Sequence, residues 1–222
     1  MNFSSTRLFE YIPKIIVPAL FATLRMLLFS MLISVIFGTI IGIILTVTGS
    51  GDLKENKKIY NTVGFFVNTI RAFPVIILIV AITPLTKFIV GTSIGEQAAI
   101  VPLSIAATPV IARLIQNSFD EVDRDLIIAA KSFGASTIQI IFKVLFVEAL
   151  PSIISGLTTT TILFLGSITL AGAVGAGGLG AVALTYGYQR FDDAVMYTIV
   201  FILCILVFLI QGTGSLLYKK LK

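Results

Sequence analysis

Two runs of residues without a single charge constrain this chain more than anything else in it. Met26 to Val47 is 22 residues long, and Ala194 to Leu217 is 24. A helix needs roughly 20 apolar residues to cross the hydrocarbon core of a bilayer. With 57% hydrophobic residues in 222, a soluble domain would lack the interior volume to hide so much apolar surface. The alternating pattern of a transmembrane barrel is absent. The fold class expected is an all-α polytopic membrane protein, a single domain over residues 1–222 with its core at about 17–212.

Composition removes several kinds of chemistry. The chain has no His and one Cys, Cys204, which lies in the last apolar run. No intrachain disulfide can form, a metal site is not expected, and Cys204 reads as a small buried hydrophobe. The first 14 residues are polar and the apolar run after them is too long for a cleavable signal peptide. The net charge of +5 does not point to nucleic acid, because the lysines and arginines cluster at the ends of apolar runs. No cofactor is expected.

Five spans are predicted. They are Met26–Val47 with Arg25 at its edge, a second within Ile59–Thr86 containing Arg71 and Pro74, and a third at Gln97–Ile115 containing Pro102 and Pro109. The fourth is Pro151–Ala171 and the fifth Ala194–Leu217. The Lys/Arg bias orients them. Lys54, Lys57, Lys58, Arg113, Arg124, Lys131, Lys143, Lys219, Lys220 and Lys222 fall on one side, against Arg7, Lys14, Lys87 and Arg190 on the other. Ten against four predicts the N-terminus outside and the C-terminus in the cytoplasm.

Residues 149–189 carry no charge, yet Gly172, Gly175, Gly177, Gly178, Gly180 and Gly187 make the second half a poor continuous helix. The stretch reads as one span, a glycine-rich turn and a short re-entrant or interfacial piece covered by protein or a water-filled cavity. Gly175–Gly180 formally matches G-x-G-x-x-G, but it follows a membrane span rather than a strand, so a dinucleotide site is rejected. No Gly-Lys dipeptide exists, which excludes a P-loop. Energy for any transport comes from a partner or from an ion gradient.

Between the third and fourth spans lies a charged insertion, Ser118–Glu148, on the side predicted to be cytoplasmic. It holds eight of the 27 charged residues. Val122, Leu126, Ala129, Ala130 and Phe133 recur with helical spacing, and Asp120, Glu121, Asp123 and Asp125 crowd the start, where the helix dipole favours acids. Gly134 stops this helix. Ser136 and Gln139 form a capping box for a second helix that runs to Leu150, where Pro151 redirects the chain. Small residues on an exposed face admit a partner's backbone. The pattern alone admits two readings, a docking element and an amphipathic loop lying on the membrane.

This insertion resembles the EAA loop of ABC importer permeases: Glu-Ala-Ala, three residues, Gly, nine residues, Ile-x-Leu-Pro. Ala129, Ala130 and Gly134 match, with Val144 at the Ile position. The motif's Glu is Ile128 here, and its Leu-Pro is Phe146-Val147, with another Leu-Pro at Leu150-Pro151. A longer likeness covers nearly the whole chain. Asn68–Leu103 and Gly172–Gly180 are similar to the permease subunit of methionine ABC importers. In that subfamily the stretch before the glycine turn resembles Gly-Tyr-Ser-Ala-Met-Gly-Gly; here it is Gly-Ser-Ile-Thr-Leu-Ala-Gly, residues 166–172.

The resemblance implies a type I ABC importer permease fold in a bacterial inner membrane. It implies a homodimer whose cytoplasmic loop, about residues 118–150, docks a dimer of separate ATPase subunits. An extracytoplasmic lipoprotein would deliver methionine. Asp125, Leu126, Ala129, Ala130, Phe133, Gly134, Ala135 and Gln139 are then the coupling residues. Arg71, Pro109, Ser167, Leu170 and Gly172 are candidates for the substrate path. The chain itself would catalyse nothing. With the aromatic and sulfur-bearing residues replaced, another small amino acid or a methionine derivative stays open as substrate.

All eleven acids read as lying in tails or loops, which argues against an ion-gradient transporter, where an ionisable group commonly sits at mid-membrane. A secondary transporter and a non-transporting scaffold remain the rival classes. Arg71 either lines the path and fixes a helix break with Pro74, or snorkels to the interface. Pro102 and Pro109 are positioned to kink the third span. Gly38 and Gly42 form a G-x-x-x-G pair, read first as packing within one subunit.

Overall fold

A computed structural model describes residues 8–49 and 53–221. Arg7, Asp52 and Lys222, used above in the charge arguments, lie outside the described residues. Nine helices account for the described chain. They are α1 (Leu8–Thr48), α2 (Lys57–Ala72), α3 (Val75–Ala81), α4 (Thr83–Val90), α5 (Glu96–Asp120), α6 (Arg124–Ser132), α7 (Thr137–Val174), α8 (residues 178–188) and α9 (Asp193–Leu221). Four of them, α1, α5, α7 and α9, are long and apolar enough to cross a membrane, and the bent pair α2–α3 makes a fifth when counted as one broken span.

The core forms where α1, α5 and α7 meet. Met26, Leu103, Ala107 and Ile111 are wholly buried there, with Ile115, Leu145 and Ile168 nearly so. α1 and α5 run parallel, since Arg25 meets Glu96, Ser34 meets Ser104 and Gly42 meets Ile115. Small residues bring the two backbones together. A Cβ on Gly38 would stand 2.8 Å from Ile111 Cβ, and one on Gly42 would stand 2.7 Å from Ile115 Cβ. The G-x-x-x-G pair therefore packs within the subunit. Ser34 Oγ donates to the Ser104 carbonyl at 3.0 Å, a polar tie between helices in an apolar core. α7 returns antiparallel to α5, with Ser152 beside Ser118 and Gly156 against Leu114. α9 packs on α7 through Gly214 and Thr158.

Several boundaries differ from the sequence expectation. The first span does not begin at Met26, because α1 continues from Leu8 through a wide π turn at Ile12–Ile16. Arg25 ends the uncharged run but is neutralised by Glu96, so it does not end the helix. The extension is held by its own small core, in which Ile16 and Ala19 pack with Leu179, Val182, Val195 and Ile199. At 41 residues, α1 is about 60 Å long, twice the roughly 30 Å of hydrocarbon.

The second span is not one helix. α2 and α3 meet at a bend of 103°. Phe73, before Pro74, is extended (φ −81°, ψ 132°), as the ring of a following proline demands. Pro84 then lies in the first turn of α4. Pro102 and Pro109 sit inside an unbroken α5, and Pro151 does not redirect the chain but lies within α7, which runs on from Thr137. Arg113, taken as part of a connection, lies inside α5.

The glycine-rich turn is present. Gly175, Gly177 and Gly178 have φ of 90°, 81° and 73°, a region closed to most side chains. The short helix α8 follows and packs on α1, where Leu179 N donates to Thr23 Oγ1 at 2.9 Å. Cys204 is exposed on α9 rather than buried. The acids are not confined to loops. Glu10, Glu96, Asp125 and Asp193 each occupy the first turn of a helix, where the dipole favours them, and Glu148 lies inside α7.

Candidate functional site

The insertion folds as two short helical pieces joined by a left-handed glycine. Asp123 caps α6 by accepting from Asp125 N at 2.9 Å. At the other end Gly134 has φ 78°. Its N–H donates to the Lys131 carbonyl at 2.9 Å, and Ala135 N donates to the Ala130 carbonyl at 3.0 Å. This is a Schellman termination. Ser136 and Gln139 then close the capping box in both directions, at 2.8 Å and 3.3 Å. Every end of the insertion is thus tied by local bonds, which makes it a stiff element.

Its faces are not those expected from the spacing. Val122 is buried, and Ile127, Ala130 and Ala135 pack inward on the core of the same subunit. The outward side carries Asp125, Leu126, Ile128, Ala129, Phe133, Gly134 and Gln139. The helical face drawn through Val122, Leu126, Ala129, Ala130 and Phe133 is therefore split, with Ala130 and Ala135 turned towards the body. Phe133 is 92% exposed. Ile138 and Phe142 extend the exposed apolar surface along the start of α7, and sequence reasoning missed both. The available signal was that large apolar residues stand between Gln139, Lys143 and other polar positions.

Beside the insertion opens a cavity of about 830 Å³ between α5 and α7, with Arg71 at the end of α2 and Tyr218 of α9 also on its wall. It runs from Asp123 and Glu148 at the insertion end to Val110 and Thr160. Twelve residues of α7 separate Glu148 from Thr160, a depth of about 18 Å. Its charged groups are partly engaged. Arg113 donates to Gln116 Oε1 at 2.7 Å and Asn68 Oδ1 at 3.1 Å, and Glu121 accepts from Ser152 Oγ at 2.7 Å.

Of the path candidates, the structure places only Arg71 on this cavity. Pro109 is buried in α5 one position before Val110, which does line it. Ser167 is half-buried and Leu170 exposed, both beyond the cavity's deep end on α7. Gly172 is buried, and a Cβ on it would meet the backbone of Gly180 and Ala181, so it serves helix-to-helix contact. The sequence did not single out Arg113, Glu148 or the hydroxyls of Ser155, Thr159 and Thr160, which line the cavity with Arg71. No cluster suited to a metal ion is found among the described residues.

The family described as "Binding-protein-dependent transport system inner membrane component" matches residues 38–221. The "Probable D-methionine transport system permease protein MetI" of Vibrio cholerae is 42% identical over 206 residues, covering 93% of this chain and 92% of that protein. The "Methionine import system permease protein MetP" of Bacillus subtilis is 43% identical over 174 residues, 78% of each chain. Among solved structures, an inward-facing form of the MetNI methionine ABC transporter superposes with TM-score 0.93 at 42% identity, covering 96% of this chain and 99% of that one. An amino acid ABC transporter crystallised with histidines superposes with TM-score 0.80 at 22% identity over 99% of both chains, a likeness of fold alone.

Proposed function

The chain belongs to the binding-protein-dependent transport system inner membrane component family, and from that membership we propose that it is the permease subunit of an ATP-driven methionine importer. The observation that carries the reading is the 42% identity, across 96% of the chain, to a chain of the MetNI transporter. Two copies enclose the path on a two-fold axis, since five spans are few to surround an amino acid. A separate ATPase supplies the energy by gripping the outward side of the insertion, around Phe133 and Ala129. An extracytoplasmic lipoprotein presents the substrate. The insertion lies in the cytoplasm and the N-terminus outside, in keeping with the Lys/Arg bias.

The geometry suits such a coupling. α6 is capped at both ends and continuous, through the capping box, with the 38-residue α7. A push on Phe133 is delivered to a helix that lines the cavity from Glu148 to Thr160. ATP-driven closure of the partner moves this helix, and the spans rock between inward-open and outward-open states.

The test is uptake of labelled L- and D-methionine into liposomes holding the permease, its ATPase and its binding protein. Uptake should need ATP inside the compartment that bears the insertion and should survive a protonophore. Uptake that persists without ATP and collapses with the ion gradient would replace this reading with a secondary transporter.

A further inference from the structure

Two charged side chains of the cavity remain without a partner among the described residues: Arg71 and Glu148. The others are engaged. Arg113 is held by Gln116 and Asn68, Glu121 by Ser152, and Asp123 caps α6. The unpaired charges stand at different depths. Glu148 lies at the insertion end with Glu121 and Asp123, near the contact between Ser152 and Ser118. Arg71 lies 14 residues along α2 from Lys57, about 21 Å from the insertion end. Glu148 thus stands at the insertion end of the cavity and Arg71 towards its other end.

Arg71 is exposed on the cavity wall rather than buried among apolar side chains, so its guanidinium faces water or a ligand. Arg71 also sits in the last turn of α2, where a cation is favoured by the helix dipole. That accounts for its sign, not for its place on a cavity wall. A planar fork of donors is suited to a carboxylate, which it grips with two parallel bonds. The hydroxyls of Ser155 and Thr159 on the facing helix supply neutral donors and acceptors for the rest of the polar head. The field between Arg71 and the acidic insertion end also matches the dipole of a free amino acid, carboxylate towards Arg71 and ammonium towards the insertion.

Resting on the proposed importer reading, we infer that Arg71 is a carboxylate-binding residue of the permease and that the cavity holds the substrate as a zwitterion. The binding protein is then not the only component that recognises the amino-acid head group. The acids at the insertion end, Glu121, Asp123 and Glu148, disfavour stray anions there.

The test uses the permease–ATPase complex without binding protein, carrying Ser155→Cys with Cys204→Ser. The rate at which a maleimide modifies the introduced thiol is followed while L-methionine, L-methionine methyl ester or N-acetyl-L-methionine is added. Methionine should slow the reaction and its ester should not. Arg71→Gln should raise the methionine concentration needed for protection by about tenfold or more, the scale of a lost charge-assisted bond, and Arg71→Lys should recover part of the loss. N-acetyl-L-methionine, which keeps the carboxylate, should still slow the reaction. Assembly of each variant is checked by size exclusion. Equal protection by acid and ester, or an assembled Arg71→Gln complex protected at the original concentration, overturns the inference. If ATP-dependent methionine uptake is intact while methionine protects nothing, the inference alone falls. If uptake itself is absent, the importer reading falls and takes the inference with it.

Discussion

Arg25 and Glu96, 71 residues apart in the chain, form an ion pair at 2.9 Å that joins α1 to the first turn of α5. Both side chains are partly exposed, so the pair is screened and contributes about 1 kcal/mol or less. Its larger effect is on register. α1 and α5 are parallel, and the pair sets the end from which their small-residue contacts at Gly38 and Gly42 are counted. Glu96→Gln should lower thermal stability in detergent modestly. A double-mutant cycle with Arg25→Gln should give a coupling energy clearly different from zero; additive losses would show that the pair is not formed.

Gly38→Ala and Gly42→Ala test the packing itself. Each adds a methyl where less than 3 Å separates it from an isoleucine Cβ. The helices must move apart, at a cost of about 1–3 kcal/mol for overpacking. Ile111→Gly, which removes the crowded Cβ, should recover part of the Gly38→Ala loss and none of the Gly42→Ala loss, as measured by loss of the assembled protein on heating. Rescue of neither would place the crowding elsewhere.

Gly134 carries two separate expectations. Gly134→Ala forces a Cβ into left-handed backbone and should destabilise the insertion by about 1 kcal/mol. Nothing lies within 4 Å of a Cβ there, so the body of the protein is undisturbed. Gly134→Trp should abolish ATP-dependent uptake while the protein remains inserted, because the bulk falls on the outward side of the insertion. Normal uptake by that variant contradicts docking at this surface.

Phe133→Ser should behave differently from Gly134→Ala. At 92% exposure the ring stabilises nothing inside the subunit. Stability should be unchanged while retention of the ATPase on affinity purification falls. Full retention would move the contact to Ile138 and Phe142, the neighbouring exposed apolar residues.

Orientation is checked by labelling. With Cys204→Ser, a thiol introduced by Ser132→Cys should react with an impermeant reagent only from the cytoplasmic side. The background change matters, because Cys204 is exposed on α9. Reaction from outside would invert the assignment made from the Lys/Arg bias.

The spans were legible because bilayer physics leaves few options: an uncharged run of the right length must be helical to satisfy its own backbone. The caps of the insertion were legible for a related reason. Ser136 with Gln139, and Gly134 after a helical run, act within one or two turns, and local bonds depend on local sequence. The break at Pro74 was visible as a proline but not as a bend of 103°. Its angle depends on what α2 and α3 each pack against.

What the sequence could not decide were matters between distant segments. Arg25 read as the edge of a span until Glu96 neutralised it. Ala130 shares a helical face with Leu126 and Phe133 in the sequence pattern, yet Ala130 and Ala135 both pack towards the core of their own subunit. Pro151 read as a corner, yet α7 passes through it. The sequence alone determined the membrane class, the span count and the stiffness of the insertion, because each follows from short-range hydrogen bonding or from the cost of charge in lipid. Only the tertiary structure decided which face of α6 looks outward and which charges share the cavity, because those depend on pairings between helices far apart in the chain.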